Sequence, residues 1–246
     1  ATRAAHRAVE TLFAFAFTWA IGGSVHSAGG RAYEALDELV RELFDSLNFG
    51  PQNVMETFAD AGDEFKFKPW SERVPAFNYQ PGMPFFKIVV PTVDTVRFAY
   101  MLQRNLTVDR GAFFTGVTGT GKTVIVSSLL ESLAPPPEEG GMAVVVIDVN
   151  FSAQTRSADV QRGIEEKLEK RRKDRLGAPA GKRCVIFVDD INMPAVEEYG
   201  AQPPIELLRQ FCDFKGFFDR DKLFWKDVQD TTLVVAGAPP GGGRSE

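Results

Sequence analysis

The chain has 246 residues, of which 44% are hydrophobic and 25% are charged, and its formal net charge is −5 at pH 7. These values are ordinary for a globular protein that forms one large or two modest domains. The acidic balance argues against a nucleic-acid-binding domain, which is usually basic, and no stretch is long and apolar enough to predict a membrane span. Cys184 and Cys212 lack metal-ligand spacing, so we interpret them as reduced core residues of an intracellular protein.

The first 50 residues have a helical pattern. An apolar helix is predicted to end at Gly22, and a second helix is predicted from Tyr33 to about Leu47, with its apolar residues on one face. Residues 51–85 are rich in aromatic residues, proline and charge but show no sustained period. That composition predicts an irregular connector.

From residue 86 the pattern alternates between short apolar runs and amphipathic segments, which predicts a parallel β-sheet flanked by helices. The predicted strands are residues 86–90, 111–115, 142–149, 184–189 and 230–237, and the predicted helices are residues 93–106, 124–133, 155–173 and 205–214. The third of these helices carries a basic cluster in which glutamates interleave with lysines and arginines. We interpret it as a solvated helix face, and a polyanion site is the alternative.

Residues 116–123 fit the phosphate-binding pattern G-x-x-x-x-G-K-[ST]. Glycines let the backbone turn tightly, so that its N–H groups point at phosphate oxygens. Lys122 can reach the β- and γ-phosphates, the hydroxyl of Thr123 can ligate Mg²⁺, and the following helix adds its positive N-terminal dipole. The motif therefore predicts that the chain binds ATP or GTP; the alternative is a glycine-rich turn without a ligand.

The apolar run from Cys184 to Val188 predicts a strand buried on both faces, and it ends in Asp189 and Asp190. Ligands of open α/β sheets bind at this carboxyl end. Asp189 is the predicted Mg²⁺ partner, and Asp190 stands where a general base or water-orienting group is expected. Alone, such a run is most often a strand that enters a solvated turn, but the phosphate loop upstream favours a nucleotide site.

The segment from Val188 to Pro194 and the segment from Tyr199 to Gln210 resemble dynein heavy chain, and more narrowly the third AAA+ module of axonemal dyneins. Further similar segments are residues 90–97, 116–123, 150–155 and 239–244, which bring the resemblance to most of residues 86–246. The helical start, around Trp19, resembles the end of the second module's small domain.

This resemblance implies a chain of three parts. Residues 1–50 are the end of the preceding module's small helical domain, and residues 51–85 are the connector. Residues 86–246 are the large α/β nucleotide-binding domain of an AAA+ P-loop NTPase, incomplete at its C-terminus.

The resemblance also implies a ring ATPase that walks on microtubules, in the cytoplasm and cytoskeleton and in the axoneme of a cilium or flagellum. The expected partners are neighbouring AAA+ modules of the same heavy chain, other dynein chains, and the microtubule through regions outside this segment. No nucleic acid and no membrane is an expected partner. ATP or ADP with Mg²⁺ is the expected cofactor. Third modules bind nucleotide and regulate, whereas the main motor turnover belongs to the first module.

The site residues follow from the phosphate motif and from this resemblance. In the family the Val-Pro-Thr segment borders the adenine. The implied cofactor-binding residues are Val90, Pro91, Thr92, Gly116, Thr118, Gly119, Thr120, Gly121, Lys122, Thr123 and Val124. Thr123 and Asp189 are the expected metal ligands, and Asp190 is a weak candidate for the catalytic base.

Two positions depart from the AAA+ pattern. Glu usually follows the Mg²⁺-binding Asp, whereas this chain has the shorter Asp190; an Asn usually ends the strand that here reaches Ala238. Both changes weaken hydrolysis more than binding, which predicts a nucleotide-binding module that regulates the motor cycle. The alternatives are a fully hydrolysing AAA+ ATPase module and an unrelated P-loop remodelling ATPase.

Overall fold

A computed structural model describes residues 2–25, 31–78, 82, 88–134 and 143–239 of the chain. The chain divides into two compact units, Ala1–Arg97 and Phe98–Glu246. Within the described residues, no helix combines the length and the apolar character needed to cross a bilayer.

The first unit combines two helices with a short antiparallel hairpin. Its elements are α1 (Thr2–Gly22), α2 (Ala32–Leu43), β1 (Thr57–Asp60) and β2 (Lys66–Pro69), with 3-10 turns at Val54–Glu56 and Trp70–Arg73. An apolar cluster joins α1, α2 and the first 3-10 turn, and Phe67 of β2 packs against it; it is formed by Ala14, Leu36, Val40, Phe49, Val54 and Met55. The end of α1 at Gly22 confirms the predicted boundary.

Helix α2 ends earlier than the predicted end near Leu47. The guanidinium group of Arg41 donates to the backbone carbonyls of Gly50 at 3.0 Å and Gln52 at 2.5 Å. These bonds hold the chain where it turns back, so that Phe49 is buried in the cluster. Tertiary contacts therefore override a helical pattern that continues in the sequence.

Residues 51–85, predicted to be an irregular connector, contain the β1–β2 hairpin and both 3-10 turns. Lys68 Nζ pairs with Asp60 Oδ2 across the strands at 2.8 Å, and the ring of Phe58 lies 5.0 Å from that of the buried Trp70. Each strand has only 4 residues, which is too short to show a clear alternation in the sequence.

The second unit is a parallel sheet with helices on both faces, which confirms the predicted α/β fold. Its main strands are β3 (Ala112–Thr115), β4 (Ala143–Asn150), β7 (Lys182–Asp189) and β10 (Thr231–Gly237). Its helices are α4 (Lys122–Leu133), α5 (Ser157–Glu165) and α6 (Pro203–Phe214), together with α3 (Val93–Thr107), whose residues up to Arg97 belong to the first unit. Among the described residues the strand order is β3-β10-β7-β4, and each neighbouring pair is parallel. The strand predicted at 86–90 lies partly outside the described residues, and residues 88–90 are not in a strand.

Strand β7 is buried on both faces, as its apolar run predicts. Cys184, Ile186 and Val188 face α5 and α6, whereas Val185 and Phe187 face α3 and α4. Full burial of side chains of this size stabilises the fold by about 1.5–3 kcal/mol each. This packing fixes the position of the strand's carboxyl end, where the predicted metal ligand follows.

A second sheet, which the sequence did not predict, lies beside the first. It contains β5 (Glu169–Arg172), β6 (Arg175–Gly177), β8 (Gly216–Phe218) and β9 (Trp225–Gln229), in the order β5-β6-β9-β8 among the described residues. The predicted helix 155–173 is therefore wrong beyond Glu165, where α5 ends. Leu168 is buried, and Arg171 Nη2 pairs with Asp230 Oδ2 at 2.6 Å. The basic cluster consequently lies on the hairpin of β5 and β6, whose second strand pairs with β9. It does not lie on a solvated helix face.

The two cysteines occupy different environments. Cys184 is buried in β7, and desolvation raises the pKa of its thiol to about 11. Because the thiolate is the reactive form, this side chain acts as a small core residue. Cys212 is exposed on α6, so the prediction that it belongs to the core is wrong.

Candidate nucleotide-binding site

The phosphate motif forms a loop between β3 and α4. Gly119 has a φ of +87° and Gly121, at the N-cap of α4, has a φ of +82°. Side chains with a Cβ rarely adopt this left-handed region, so glycine permits the turn at both positions. The carbonyl of Gly121 accepts from Ile125 N at 2.9 Å and so begins the helix. The loop thereby presents the N-terminus of α4, which favours an anion.

Lys122 lies over the loop that precedes it. Its Nζ donates to the carbonyl of Gly116 at 2.7 Å and to that of Val117 at 2.9 Å. Thr120 Oγ1 donates to the same Val117 carbonyl at 3.0 Å, which closes the turn. The ammonium group is therefore held at the loop, where a phosphate oxygen can exchange for a carbonyl.

Thr123 and Asp189 meet although they lie 66 positions apart in the chain. Thr123 Oγ1 donates to Asp189 Oδ2 at 2.6 Å, and Asp189 Oδ1 accepts from the backbone N–H of Asp190 at 3.0 Å. Asp189 is buried, with 9% of its surface exposed. A hydroxyl beside a carboxylate is the set of hard oxygen donors that suits Mg²⁺ bound with waters and phosphate. The predicted metal ligands are thus brought together.

Strand order explains this meeting. Strand β10 lies between β3, which leads into the loop, and β7, which ends at Asp189. All three strands run parallel, so their carboxyl ends open at one edge of the sheet. Gly116 N donates to the carbonyl of Gly237 at 3.4 Å, which ties the loop to the end of β10. This edge is the ordinary ligand-binding position of open α/β sheets.

A cleft of about 770 Å³ opens at this edge, within the range of small-molecule and cofactor sites. Its walls are formed by Thr118, Gly119, Gly121, Lys122, Thr123, Val124, Asp189, Asp190, Asn192, Met193 and Ala238. The predicted residues Gly116 and Thr120 hold the loop from behind through the bonds already described. Val90, Pro91 and Thr92 belong to the first compact unit, and their contact with a base stays a prediction.

Asp190 has an unusual backbone conformation. Its φ of +54° lies in the left-handed region, and its side chain is exposed. Aspartate and asparagine enter this region more readily than other residues with a side chain. The backbone at this position therefore suits the shorter acid better than the glutamate usual in AAA+ proteins.

Asn192 and Met193 line the cleft although sequence reasoning did not name either as a binding residue, and Asn192 is the polar one of the two. Its Oδ1 accepts from the backbone N–H of Ala238 at 2.9 Å. Ala238, where AAA+ proteins usually carry an asparagine, is thus joined to an asparagine from the neighbouring segment. A polar residue shortly after the paired acids is the signal available in the sequence, but it does not reveal this contact.

The strand order, the glycine loop at a helix N-terminus and the Thr123–Asp189 pair define a P-loop nucleotide-binding domain. Comparison with protein families agrees: residues 77–246 match the family described as P-loop containing dynein motor region. Residues 2–72 match the dynein heavy chain AAA lid domain. The chain belongs to the dynein heavy chain family, which confirms the resemblance and excludes an unrelated P-loop remodelling ATPase.

Axonemal and flagellar heavy chains are among its relatives. The chain is 46% identical over 239 residues to human dynein axonemal heavy chain 6, covering 95% of this chain and 6% of that protein. It is 38% identical over 241 residues to human dynein axonemal heavy chain 2, covering 96% of this chain and 5% of that protein. It is 39% identical over 241 residues to the dynein-1-beta heavy chain of the flagellar inner arm I1 complex from Chlamydomonas reinhardtii, also covering 96% and 5%. The chain therefore spans a small part of the length of these relatives.

Proposed function

We propose that this chain is a nucleotide-binding AAA+ module of a dynein microtubule motor, the third of its ring. It binds ATP or ADP with Mg²⁺ and regulates the motor cycle of the ring. The contact of 2.6 Å between Thr123 Oγ1 and Asp189 Oδ2 carries this proposal. It joins the phosphate loop and the acid-tipped strand into one site, as nucleotide binding requires.

Each side chain of the site then has a role. The backbone of the loop around Gly119 and Gly121 cradles the phosphates, and Lys122 binds their outer oxygens as a point charge. Thr123 and Asp189 hold Mg²⁺, which supplies positive charge against the phosphate oxygens. Thr118, Thr120 and Val124 complete the loop and the start of α4, and residues 90–92 stay the predicted contacts of the base.

Slow hydrolysis follows from two positions of the cleft. Asp190 is one methylene shorter than the usual glutamate, so a water must come closer to be polarised by it. Ala238 has no polar side-chain atom with which to orient that water. The site consequently holds nucleotide for a long time. If one conformation of the ring binds this nucleotide more tightly than another, occupancy of the site shifts the ring toward that conformation.

A fully hydrolysing AAA+ module is the second candidate. The complete set of Lys122, Thr123 and Asp189 favours it, because these residues suffice to bind and neutralise a triphosphate. The two candidates differ in the rate of one chemical step and share the same binding mode.

The partners follow from the proposal and from the names of the relatives. The module packs against neighbouring AAA+ modules of its heavy chain, works with other dynein chains and acts on microtubules through regions outside these residues. The words axonemal and flagellar in the relatives' names support a place in the cytoskeleton of a cilium or flagellum. Neither nucleic acid nor membrane is a partner in this proposal.

Single-turnover hydrolysis in the heavy-chain ring tests the proposed function. We expect ATP at this module to be cleaved more slowly than the stepping cycle, and Asp190→Glu to accelerate cleavage at least about tenfold because the longer acid reaches the water. The cleavage rate of this module is obtained by subtracting the rate of a ring that carries Lys122→Ala. Cleavage that keeps pace with stepping in the unchanged ring contradicts the regulatory proposal.

Asp190→Asn is the matched control for this experiment, because asparagine also tolerates the left-handed backbone. It removes the carboxylate with little change of shape. We expect it to abolish the residual cleavage while ATP binding persists. An unchanged rate in this variant shows that Asp190 takes no part in the reaction.

A further inference from the structure

The segment that follows β7 is fixed against the end of β10 by two hydrogen bonds, and a third closes a turn within the segment. Ile191 N donates to the carbonyl of Ala236 at 3.1 Å, Ala238 N donates to Asn192 Oδ1 at 2.9 Å, and Met193 N donates to the carbonyl of Asp190 at 2.9 Å. The close approach depends on a glycine in β10. A Cβ at Gly237 would lie 2.7 Å from Ile191 Cγ2. Asn192 is therefore held at the carboxyl end of β10, the strand that lies next to β3 and its phosphate loop.

The hydrogen bond to Ala238 also sets the orientation of the Asn192 amide. A backbone N–H needs an acceptor, so the oxygen of the carboxamide faces Ala238 and the NH₂ group takes the opposite position. Among the described residues, no acceptor receives a hydrogen bond from Asn192 Nδ2. The side chain is half-buried in the wall of the cleft. Two oriented N–H donors are thus available there.

The position of these donors indicates their ligand. The same cleft is lined by Lys122, Thr123 and Asp189. These residues indicate which part of the cleft receives the outer phosphates and Mg²⁺. Asp189 and Asp190 repel a phosphate, whereas a neutral amide donates to its oxygens without adding charge. Ala238, at the end of the intervening strand, offers no donor from its side chain. Asn192 comes from the next strand's segment and reaches the same place.

We propose that Asn192 senses the terminal phosphate of a bound nucleoside triphosphate: its Nδ2 donates to an oxygen of that phosphate, while its Oδ1 holds the end of β10. This inference rests on the proposed function, because it assigns the group by which the site distinguishes ATP from ADP. The bond to Ala238 couples the presence of the terminal phosphate to the carboxyl end of β10.

The test compares binding of ATPγS and ADP, with Mg²⁺, to this module in the heavy-chain ring. Fluorescent derivatives of both nucleotides are titrated, and the signal of a ring carrying Lys122→Ala is subtracted. Asn192→Asp keeps an oxygen for Ala238 N but removes both N–H donors and adds a negative charge, whereas Asn192→Ala removes both functions without adding charge. We expect each variant to weaken ATPγS at least about tenfold more than ADP, as loss of a hydrogen bond to a charged group implies.

Gln202→Ala is the matched control. Gln202 Nε2 donates to the carbonyl of Pro194 at 2.7 Å, so it holds the same segment without lining the cleft. We expect it to leave the ratio of the two affinities unchanged. The inference is overturned if Asn192→Ala, which adds no charge, keeps the ratio of the unchanged ring, or if all three variants weaken both nucleotides equally. If Lys122→Ala removes no nucleotide signal, the proposed function itself fails, which is a different result.

Discussion

Replacing Lys122 by alanine is expected to abolish nucleotide binding at this module. The ammonium group is held at the loop by two carbonyls, 2.7 and 2.9 Å away, and phosphate oxygens replace them when nucleotide binds. Each hydrogen bond between charged groups contributes about 1.5–3 kcal/mol. Losing two of them weakens binding of both ATP and ADP at least about a hundredfold. Titration of the heavy-chain ring with fluorescent nucleotide measures this change as the loss of one class of site.

Lys182→Ala is the matched control for this variant. Lys182 is exposed at the first residue of β7, whereas the cleft lies at the carboxyl end of that strand. The substitution removes the same charge from the same domain, at roughly 20 Å from the site by the rise of an extended strand. We expect unchanged affinity. A Lys122→Ala ring that binds as many nucleotides as the unchanged ring contradicts the assignment of the loop.

Asp189→Asn is expected to separate nucleotide binding from its dependence on Mg²⁺. The single oxygen of an asparagine can accept from Thr123 Oγ1 or from Asp190 N, so one of the two hydrogen bonds of Asp189 is kept while the charge is lost. We expect the affinity for ATP with Mg²⁺ to fall about ten- to a hundredfold, the range typical when a group that orients a metal is removed. In the presence of a chelator the variant binds ATP no more weakly than the unchanged ring, because Asp189 without the metal only repels the phosphates.

Asp213→Asn controls for the change of one negative charge, because Asp213 is exposed on α6 and does not line the cleft. Titrations over a range of Mg²⁺ concentrations distinguish the two aspartates. A Mg²⁺ dependence that survives in Asp189→Asn and equals that of Asp213→Asn shows that the metal is held elsewhere.

The sequence predicted those parts of the site that depend on neighbouring residues. The loop, the start of α4 and strand β7 each follow from a local pattern, and burial of β7 on both faces fixes Asp189 at its end. The pairing of Asp189 with Thr123 could be inferred because both motifs end at the same edge of a parallel sheet.

Other features depend on contacts between distant residues, which local patterns do not encode. The hydrogen bond between Asn192 and Ala238 joins positions 46 apart, and it exists because β10 lies beside β7. The helix predicted up to residue 173 is replaced by a hairpin because β6 pairs with β9. The hairpin of the first unit has strands too short for a visible period.

The backbone conformation of Asp190 is a further feature that the sequence does not predict. The sequence predicts that the Asp190 carboxylate is a weak catalytic base because its side chain is shorter than that of the usual glutamate. The left-handed backbone at this residue, with a φ of +54°, gives a physical reason for aspartate at this position. A backbone dihedral of this kind cannot be derived from residue spacing.

The most direct test of the central claim identifies the nucleotide retained at this module in the isolated heavy-chain ring and follows its exchange over time. The nucleotide that is lost in a parallel Lys122→Ala ring belongs to this site. We expect ATP or ADP to be held far longer than one stepping cycle. Rapid conversion of ATP and release of ADP at this site, on the time scale of stepping, would contradict a regulatory site and identify a second working ATPase.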